Sequence, residues 1–192
     1  MSRFTVILDA CVLYPAPLRD FLMELAATEL FRAKWTDAIH DEWTRNLLKD
    51  RADLSRDKLQ RTRVLMNACV PDCLVSGYEH LIDTINLPDP NDRHVLAAAA
   101  HARADGIVTF NLKDFPKEEL ARFNVEPIHP DDFIRYQSDL KAAPTAAVVI
   151  AAGNCRRRLK NPPKTATEYL DTLEMQGLPK TVSALRPFTE VL

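Results

Sequence analysis

Short apolar runs alternate with longer amphipathic stretches over the first two thirds of this chain. The first run, residues 4–8 (FTVIL), is rich in β-branched and aromatic side chains and does not alternate with polar ones. Such a run predicts a strand buried on both faces, here over about residues 3–8. Similar short runs predict four more strands, at residues 33–35, 73–75, 106–109 and 125–128.

Helical periodicity fills the segments between these runs. Ile39, Trp43 and Leu47 recur every fourth residue and predict the buried stripe of a helix over about residues 37–48. The segment at residues 89–92 (DPND) opens another helix, predicted over residues 93–102, with Asp89 as a possible N-cap and Pro90 as a possible first residue. Strands that alternate with helices predict an α/β fold, with a mostly parallel five-stranded sheet covered on both faces. Further helices are predicted over residues 18–31, 55–68 and 131–140.

The pattern changes after Pro144. Residues 145–160 are helical in pattern, Ala-rich at first and then basic, and a break at residues 161–163 (NPP) separates them from two further helices near Thr165 and Pro179. We therefore predict a domain of residues 1–140 and a small helical C-terminal appendage of residues 141–192.

The composition is that of a globular protein and changes this picture little. The 192 residues are 46% hydrophobic and 27% charged with a formal net charge of −2, so no overall basic field attracts nucleic acid. Four scattered cysteines form neither a zinc nor a disulfide framework. No apolar stretch could span a bilayer, and residues 1–3 lead into the first strand without a signal-peptide pattern. We therefore expect a cytoplasmic protein with no membrane association.

Two aspartates stand where charge is costly. Asp9 follows the buried run at residues 4–8, and open α/β sheets bind their ligands at such strand ends. An unpaired carboxylate there needs a compensating partner. Asp92 shares a helix face with Val95 and Ala99, so we expect it to point inward although it is charged. Its alternative role is that of a first-turn residue stabilised by the helix dipole.

Two further carboxylates can join them. Glu42 lies in the helix after the second predicted strand, and Asp114 follows the fourth. The alternatives are local pairing of Glu42 with Arg45 or Asn46, and an ordinary turn around Asp114. Carboxylates gathered at one sheet edge would repel one another unless a divalent cation joins them. All-oxygen ligands suit Mg²⁺ or Mn²⁺, which can activate water for phosphodiester hydrolysis.

Four segments together resemble the PIN domain family, in particular its VapC-like toxin ribonucleases. They are VILDACVL around Asp9, the helix that carries Glu42, DPNDRHVLAAA over residues 89–99, and VTFNLKDFP over residues 108–116. The resemblance covers about residues 3–137. It implies a PIN-like three-layer sandwich around a mostly parallel five-stranded sheet, and an endoribonuclease that depends on Mg²⁺ or Mn²⁺.

The resemblance also implies roles for single residues. Asp9, Glu42 and Asp92 match the acidic triad that holds the metal or its waters, and Asp114 matches a further catalytic acidic position. A cognate antitoxin and a homodimer are implied as partners of such a toxin, besides the RNA substrate.

Three auxiliary positions complete the predicted site. Thr109 matches a hydroxyl residue that often completes it, and Asp89 is an auxiliary carboxylate or only a helix cap. Asn111 falls where many members carry another Asp. That departure leaves the number of metals open, and it supports the alternative of a catalytically weak PIN-like module that binds RNA or a protein. His94 is expected to point away from Asp92 and to be structural.

Other folds with an Asp after the first strand fit less well. A haloacid-dehalogenase-type phosphatase needs a second Asp at the position of Cys11, and a nucleotide-binding fold needs a Gly-rich loop, whereas the chain has only 4 Gly. A phosphoreceiver domain needs an acidic pair before the first strand ends and a Lys after the last one, and the chain has neither.

RNA must be bound by local cations, because phosphate contacts dominate affinity. The candidates in the appendage are Arg156, Arg157, Arg158 and Lys160. The candidates on the helix at residues 55–68 are Arg56, Lys58, Arg61 and Arg63. The alternatives are an arginine run that docks the appendage and a solvated helix face.

Overall fold

The computed structural model describes residues 4–139 and 142–192. Arg3, Leu140 and Lys141, which bound the first predicted strand and the two predicted domains, lie outside these ranges. The chain forms two compact units: the first unit comprises Met1–Tyr14 and Phe31–His129, and the second unit comprises Pro15–Leu30 and Pro130–Leu192.

A parallel sheet forms the centre of the first unit. Its strands are β1 (Thr5–Leu8), β2 (Arg32–Lys34), β3 (Gly106–Val108) and β4 (Glu126–Ile128), and they lie in the order β2-β1-β3-β4. The predicted α/β class with parallel strands is confirmed. All four residues of β1 are buried, as expected for a strand with neighbours on both sides and covered faces.

The prediction of five strands is wrong, since the described residues contain four. The segment at 73–75 contributes only an isolated parallel bridge between Leu74 and Trp35. Trp35 N–H donates to Cys73 O, and Val75 N–H donates to Trp35 O, both at 2.9 Å. The chain turns sharply on both sides, at Asp72 (φ 55°) and at a glycine (φ 80°), so only one residue pairs with the sheet. The three-layer arrangement stays a prediction.

Helices form much of the rest of the described residues. None of those within the described ranges combines the length and hydrophobicity needed to cross a bilayer. They are α1 (Ala10–Leu13), α2 (Ala16–Ala27), α3 (Asp37–Asp50), α4 (Arg56–Cys69), α5 (Arg93–His101), α6 (Lys117–Ala121), α7 (Pro130–Asp139), α8 (Ala142–Arg158), α9 (Ala166–Met175) and α10 (Pro179–Leu185). Short 3₁₀ turns cover Glu79–Thr84, Pro90–Asp92, Leu112–Asp114 and Arg186–Phe188.

Side-chain caps fix where the helices near the sheet begin. The Thr36 hydroxyl accepts from Ile39 N–H at 3.0 Å and starts α3 one residue after the bridge at Trp35. The helix predicted over residues 93–102 is present as α5, which begins at Arg93, but Asp89 is not its N-cap. Asp89 accepts from the N–H two residues on and closes the 3₁₀ turn Pro90–Asp92, and α5 follows. Asp92 therefore stands at the N-cap position of α5.

Gly106 permits the close pairing of β3 with β4. A Cβ atom at this position would lie 2.7 Å from the end of the Ile128 side chain and 3.0 Å from Glu126 O, so a larger residue would require that side chain to move and β4 to give way slightly. β4 is an edge strand, as Pro127 within it predicts. This pairing sets the position of the residues that follow β3 at the carboxyl edge of the sheet.

The second unit is helical. Asp131 is 2% exposed, and its two oxygens accept from Lys180 N–H and Thr181 N–H, each at 2.8 Å, so α7 caps the start of α10. The predicted division at residue 140 assigns residues 15–30 and 130–139 to the nuclease domain, whereas by contacts they belong to the second unit. The division itself stays a prediction, because a contact-based unit need not be a domain that folds alone.

Candidate active site

Asp9 lies where β1 ends and α1 begins, and it is surrounded by donors. Its side chain is 5% exposed. Oδ1 accepts from Ala10 N–H at 2.6 Å, and Oδ2 accepts from the Thr109 hydroxyl at 2.7 Å and from the Cys11 thiol at 3.1 Å. Burial raises the pKa of Asp9, the charge of Glu42 adds to this, and the three donors act against it. The fold thus holds this carboxylate in one orientation.

Thr109 connects the end of β3 to Asp9 through a hydrogen bond. The residue is fully buried directly after β3, and its hydroxyl also accepts from Asn111 N–H at 3.0 Å. Because one hydroxyl donates to Asp9 and accepts from the loop, it couples the strand end to the loop that carries Asp114. The predicted auxiliary position of Thr109 thus lies directly beside Asp9.

Cys11 is a residue of the site that sequence reasoning missed. Its sulfur lies 3.3 Å from Thr109 Oγ1 and accepts from Phe110 N–H at 3.3 Å. Burial, and then the charge of Asp9, raise the pKa of the thiol, which stays a protonated donor. The sequence signal was the spacing of two residues from Asp9 at the start of a helix, where a short side chain can turn back to the carboxylate.

Asp92 is the carboxylate of the site whose hydrogen bonding is incomplete. Its Oδ2 is buried and has no hydrogen-bond partner among the described residues. Burial raises the pKa of Asp92 to about 7, with further contributions from the charges of Asp9, Asp89, Glu42 and Asp114. The four predicted acidic residues and Asp89 are therefore close enough to act on one group, as the sheet-edge argument predicts.

Glu42 contacts His94 rather than its helix neighbours. His94 Nε2 lies 3.6 Å from Glu42 Oε2, and both side chains are partly buried. Neither Arg45 nor Asn46 forms the local pair with Glu42 that was the alternative interpretation. The contact joins α3 to α5 and explains why His94, which was expected to be structural, borders the acidic group. Sequence spacing could not reveal it, since the two residues lie on different helices.

Asp89 and Asp114 are engaged in local bonds. Asp89 Oδ1 accepts from Asn91 N–H at 2.8 Å and from the Asn91 side-chain amide at 2.9 Å, so the cap role predicted as an alternative is present. The Asn111 side-chain amide donates to Asp114 Oδ2. An Asp at position 111 could not make this bond, because a carboxylate would repel Asp114.

The carboxylate oxygens of the site are ligands that suit a hard divalent cation, although they are not arranged as a preformed metal site. In the ranges that the structure describes, no group of three or more His, Cys, Asp or Glu side chains is arranged to hold an ion. The buried, unpartnered oxygen of Asp92 and the mutual repulsion of its neighbours are nevertheless what an oxygen-binding cation would relieve.

The arginine run of the appendage makes contacts within the second unit. Arg156 donates to Leu192 O at 2.6 Å and to Lys164 O at 3.2 Å, and Arg158 pairs with Glu24. These contacts favour the docking alternative for the run. Arg157 donates to Asn154 Oδ1 at 2.8 Å and Lys160 is exposed. The RNA-binding role of these four cations stays a prediction.

Two family models match the chain. One, described as the PIN domain, matches residues 5–113, and the other, described as the VapC50 C-terminal domain, matches residues 130–187. The first match contains Asp9, Glu42 and Asp92. The second begins where the second unit resumes after His129.

One curated relative is the protein of Mycobacterium tuberculosis (strain ATCC 25618 / H37Rv) named "Putative ribonuclease VapC50". The chain is 42% identical to it over 100 residues, which are 52% of this chain and 57% of the relative. The matched region thus spans little more than half the length of either protein. No solved structure matches the chain significantly.

Proposed function

This chain belongs to the PIN domain family, and on that premise we propose that it is a divalent-metal-dependent endoribonuclease that hydrolyses RNA phosphodiester bonds. The observation that carries the proposal is Asp92, a partly buried carboxylate with an unpartnered oxygen and a pKa raised to about 7 beside other carboxylates. The printed name of the relative, a ribonuclease, supports the same activity.

Each acidic residue has a role in the proposed site. Asp9, Glu42 and Asp92 would hold Mg²⁺ or Mn²⁺, and such an ion, when bound, activates water and offsets the charge that builds up on the phosphate. Thr109 orients Asp9 through its hydroxyl, and His94 borders Glu42. Asp114 is held by Asn111 in the loop after β3, where its charge contributes to the raised pKa of Asp92.

Asn111 favours a second candidate function, a catalytically weak PIN-like module that binds RNA or a protein. Its amide occupies one oxygen of Asp114, so this carboxylate is less available than an unpaired one. The two functions differ in a simple way. A binding module retains affinity for its partner and cleaves no faster with Mg²⁺ or Mn²⁺ than without them.

The biological role proposed is that of the toxin in a type II toxin–antitoxin pair, acting in the cytoplasm. The VapC name of the relative supports it. A cognate antitoxin should then bind the chain and suppress cleavage, and the toxin should form a homodimer. Co-purification with the product of the neighbouring gene, followed by cleavage assays with and without it, tests the pairing, and light scattering measures the dimer.

The substitution Asp9→Asn tests the enzymatic proposal. We expect the purified variant to lose at least about 100-fold in the rate of RNA cleavage with Mg²⁺ or Mn²⁺, because a neutral amide is a poor metal ligand. Asp105→Asn is a matched control. Asp105 accepts from Thr5 N–H at 2.7 Å at the opposite edge of the same sheet, and an amide oxygen can replace it. Equal cleavage by Asp9→Asn and wild type would refute the metal site.

A further inference from the structure

A groove lies between α3 and α4 in the first unit, and its α3 wall includes Asp41 and Thr44, which lie on either side of Glu42 in the chain. It has a volume of about 680 Å³, and its walls include Arg45 and Lys49 from α3 and Arg56 from α4. All three cations are exposed, and none of them forms an ion pair or side-chain hydrogen bond within the described part of the chain. They are therefore available to a ligand.

The remaining charges of the groove do not cancel these cations. Arg63 lines the groove but pairs with Asp41 at 2.6 Å and with Asp37 at 3.1 Å, so it is already engaged. Asp57 is the carboxylate that remains. Three free cations against one free carboxylate give the groove a positive charge in a chain whose net charge is −2.

The helix geometry connects the groove to the site. Glu42, Arg45 and Lys49 lie on one side of α3, since spacings of three and seven residues keep side chains within about 60° of one another. Arg45 is about 4.5 Å and Lys49 about 10.5 Å further along the helix axis than Glu42. Glu42 pairs with His94 instead of Arg45, which leaves that guanidinium free.

We propose that the groove between α3 and α4 binds the sugar–phosphate backbone of single-stranded RNA next to the bond that is cut, through Arg45, Lys49 and Arg56. The inference rests on the proposed ribonuclease function. Exposed cations without a protein partner can bind RNA phosphates, and such phosphate contacts carry no base specificity. The negative charge of the acidic site repels RNA phosphates. Cations on the same side of α3 as Glu42 would offset this repulsion and allow a phosphodiester to reach the site.

The test measures RNA binding by two pairs of variants in the Asp9→Asn background, which prevents cleavage. Arg45→Gln/Lys49→Gln removes two groove charges. Arg32→Gln/Arg103→Gln removes two exposed charges at the amino edge of the sheet, where β2 and β3 begin. Both doubles change the net charge equally, and circular dichroism with thermal melting checks that each is folded. The probe is a short fluorescent single-stranded RNA of mixed sequence.

We expect the groove double to bind about tenfold more weakly at about 100 mM salt. The slope of log affinity against log salt should fall by about 1.4, which is two phosphate contacts at about 0.7 each. Arg56→Gln alone should lower the slope by about 0.7 and tests the α4 side even if the double misfolds. The control double should keep the affinity of its parent to within about twofold.

Each other result overturns the inference and shows which part is wrong. If wild type cleaves RNA with Mg²⁺ but the groove variants bind RNA with the parental affinity and slope, the groove is not the RNA track and the ribonuclease function stands. The same holds if those variants lose only a protein partner. If wild type neither binds nor cleaves RNA, the proposed function fails together with the inference.

Discussion

Asp9 and Asp92 are neighbours in one site, yet the fold treats them in opposite ways. Asp9 is anchored by Ala10, Cys11 and Thr109, so its backbone and side-chain surroundings meet its need for donors. Asp92 keeps one buried oxygen without a donor, and its pKa is raised to about 7. Buried polar atoms are almost always satisfied, so an exception needs an explanation. The difference is that the fold satisfies both oxygens of Asp9 and leaves one buried oxygen of Asp92 unsatisfied.

Of the two side-chain donors to Asp9, Thr109 should have the larger effect when it is removed. Thr109→Val removes a buried donor and an acceptor together, and we expect cleavage to fall about 10- to 100-fold and the free energy of unfolding to fall by about 1–3 kcal/mol. Single-turnover cleavage and denaturant unfolding measure both. Thr172→Val is the control, because the Thr172 hydroxyl makes an ordinary bond to Glu168 O at 2.8 Å in the second unit. Unaltered cleavage by Thr109→Val would mean that Asp9 needs no anchor.

Asp131 sharpens the comparison, because it is a buried carboxylate whose oxygens are both satisfied by backbone N–H groups. Asp131→Asn can accept only one of these bonds, so we expect a loss of about 2 kcal/mol in the free energy of unfolding, with no change in the cleavage rate per folded molecule. The exposed neighbour variant Asp132→Asn should cost less than about 1 kcal/mol. A cleavage defect in well-folded Asp131→Asn would argue that the second unit takes part in the reaction.

The raised pKa of Asp92 should make the free energy of unfolding depend on pH when no metal is present. Its folded pKa is raised to about 7, so its protonated form is preferred in the folded state. That stability is fully present below about pH 4 and is lost as the pH rises through about 7. In EDTA, Asp92→Asn should therefore melt a few degrees above wild type at pH 8, a gain of about 1–2 kcal/mol, and gain nothing at about pH 4.

Mg²⁺ should reverse the order of the two melting temperatures, because a ligand that binds only the folded state stabilises that state. Wild type should melt higher with Mg²⁺ at pH 8, and Asp92→Asn should not respond. Equal melting temperatures of the two proteins at every pH in EDTA would show that Asp92 carries no electrostatic strain.

The smallest effect is expected at Cys11, since a thiol is a weak donor. Cys11→Ala should slow cleavage about two- to fivefold. Cys11→Ser, which keeps a donor near Asp9, should stay within about twofold of wild type. A loss as large as that of Thr109→Val would mean that the thiol, and not the hydroxyl, fixes the orientation of Asp9.

Sequence reasoning succeeded where one local rule decided the structure. The buried run before Asp9 and the buried stripe of Ile39, Trp43 and Leu47 each follow from one short segment, and the structure confirms both. The rule that parallel strand ends share one edge brought Asp9 and Thr109 together, and their side chains bond at 2.7 Å.

Sequence reasoning was less informative where contacts between distant segments of the chain determine the structure. The segment at 73–75 has the pattern of a strand, but the turns beside it leave only one paired residue. The pairing of Glu42 with His94 joins two helices whose relative placement no spacing rule gives. For the run at 156–158 the sequence left docking and RNA binding open, and the pairing of Arg158 with Glu24 joins helices more than a hundred residues apart in the chain. The RNA-binding role of the run stays a prediction.

The dependence of cleavage on divalent metal, compared between wild type and Asp92→Asn, tests the proposed acidic centre most directly. Cleavage of one RNA is followed at increasing Mg²⁺ or Mn²⁺ and in EDTA. We expect wild type to be inactive in EDTA and to reach a plateau with metal, and Asp92→Asn to be at least about 100-fold slower at every concentration. Cleavage by wild type in EDTA, or the same metal curve for both proteins, would contradict a metal site built around Asp92.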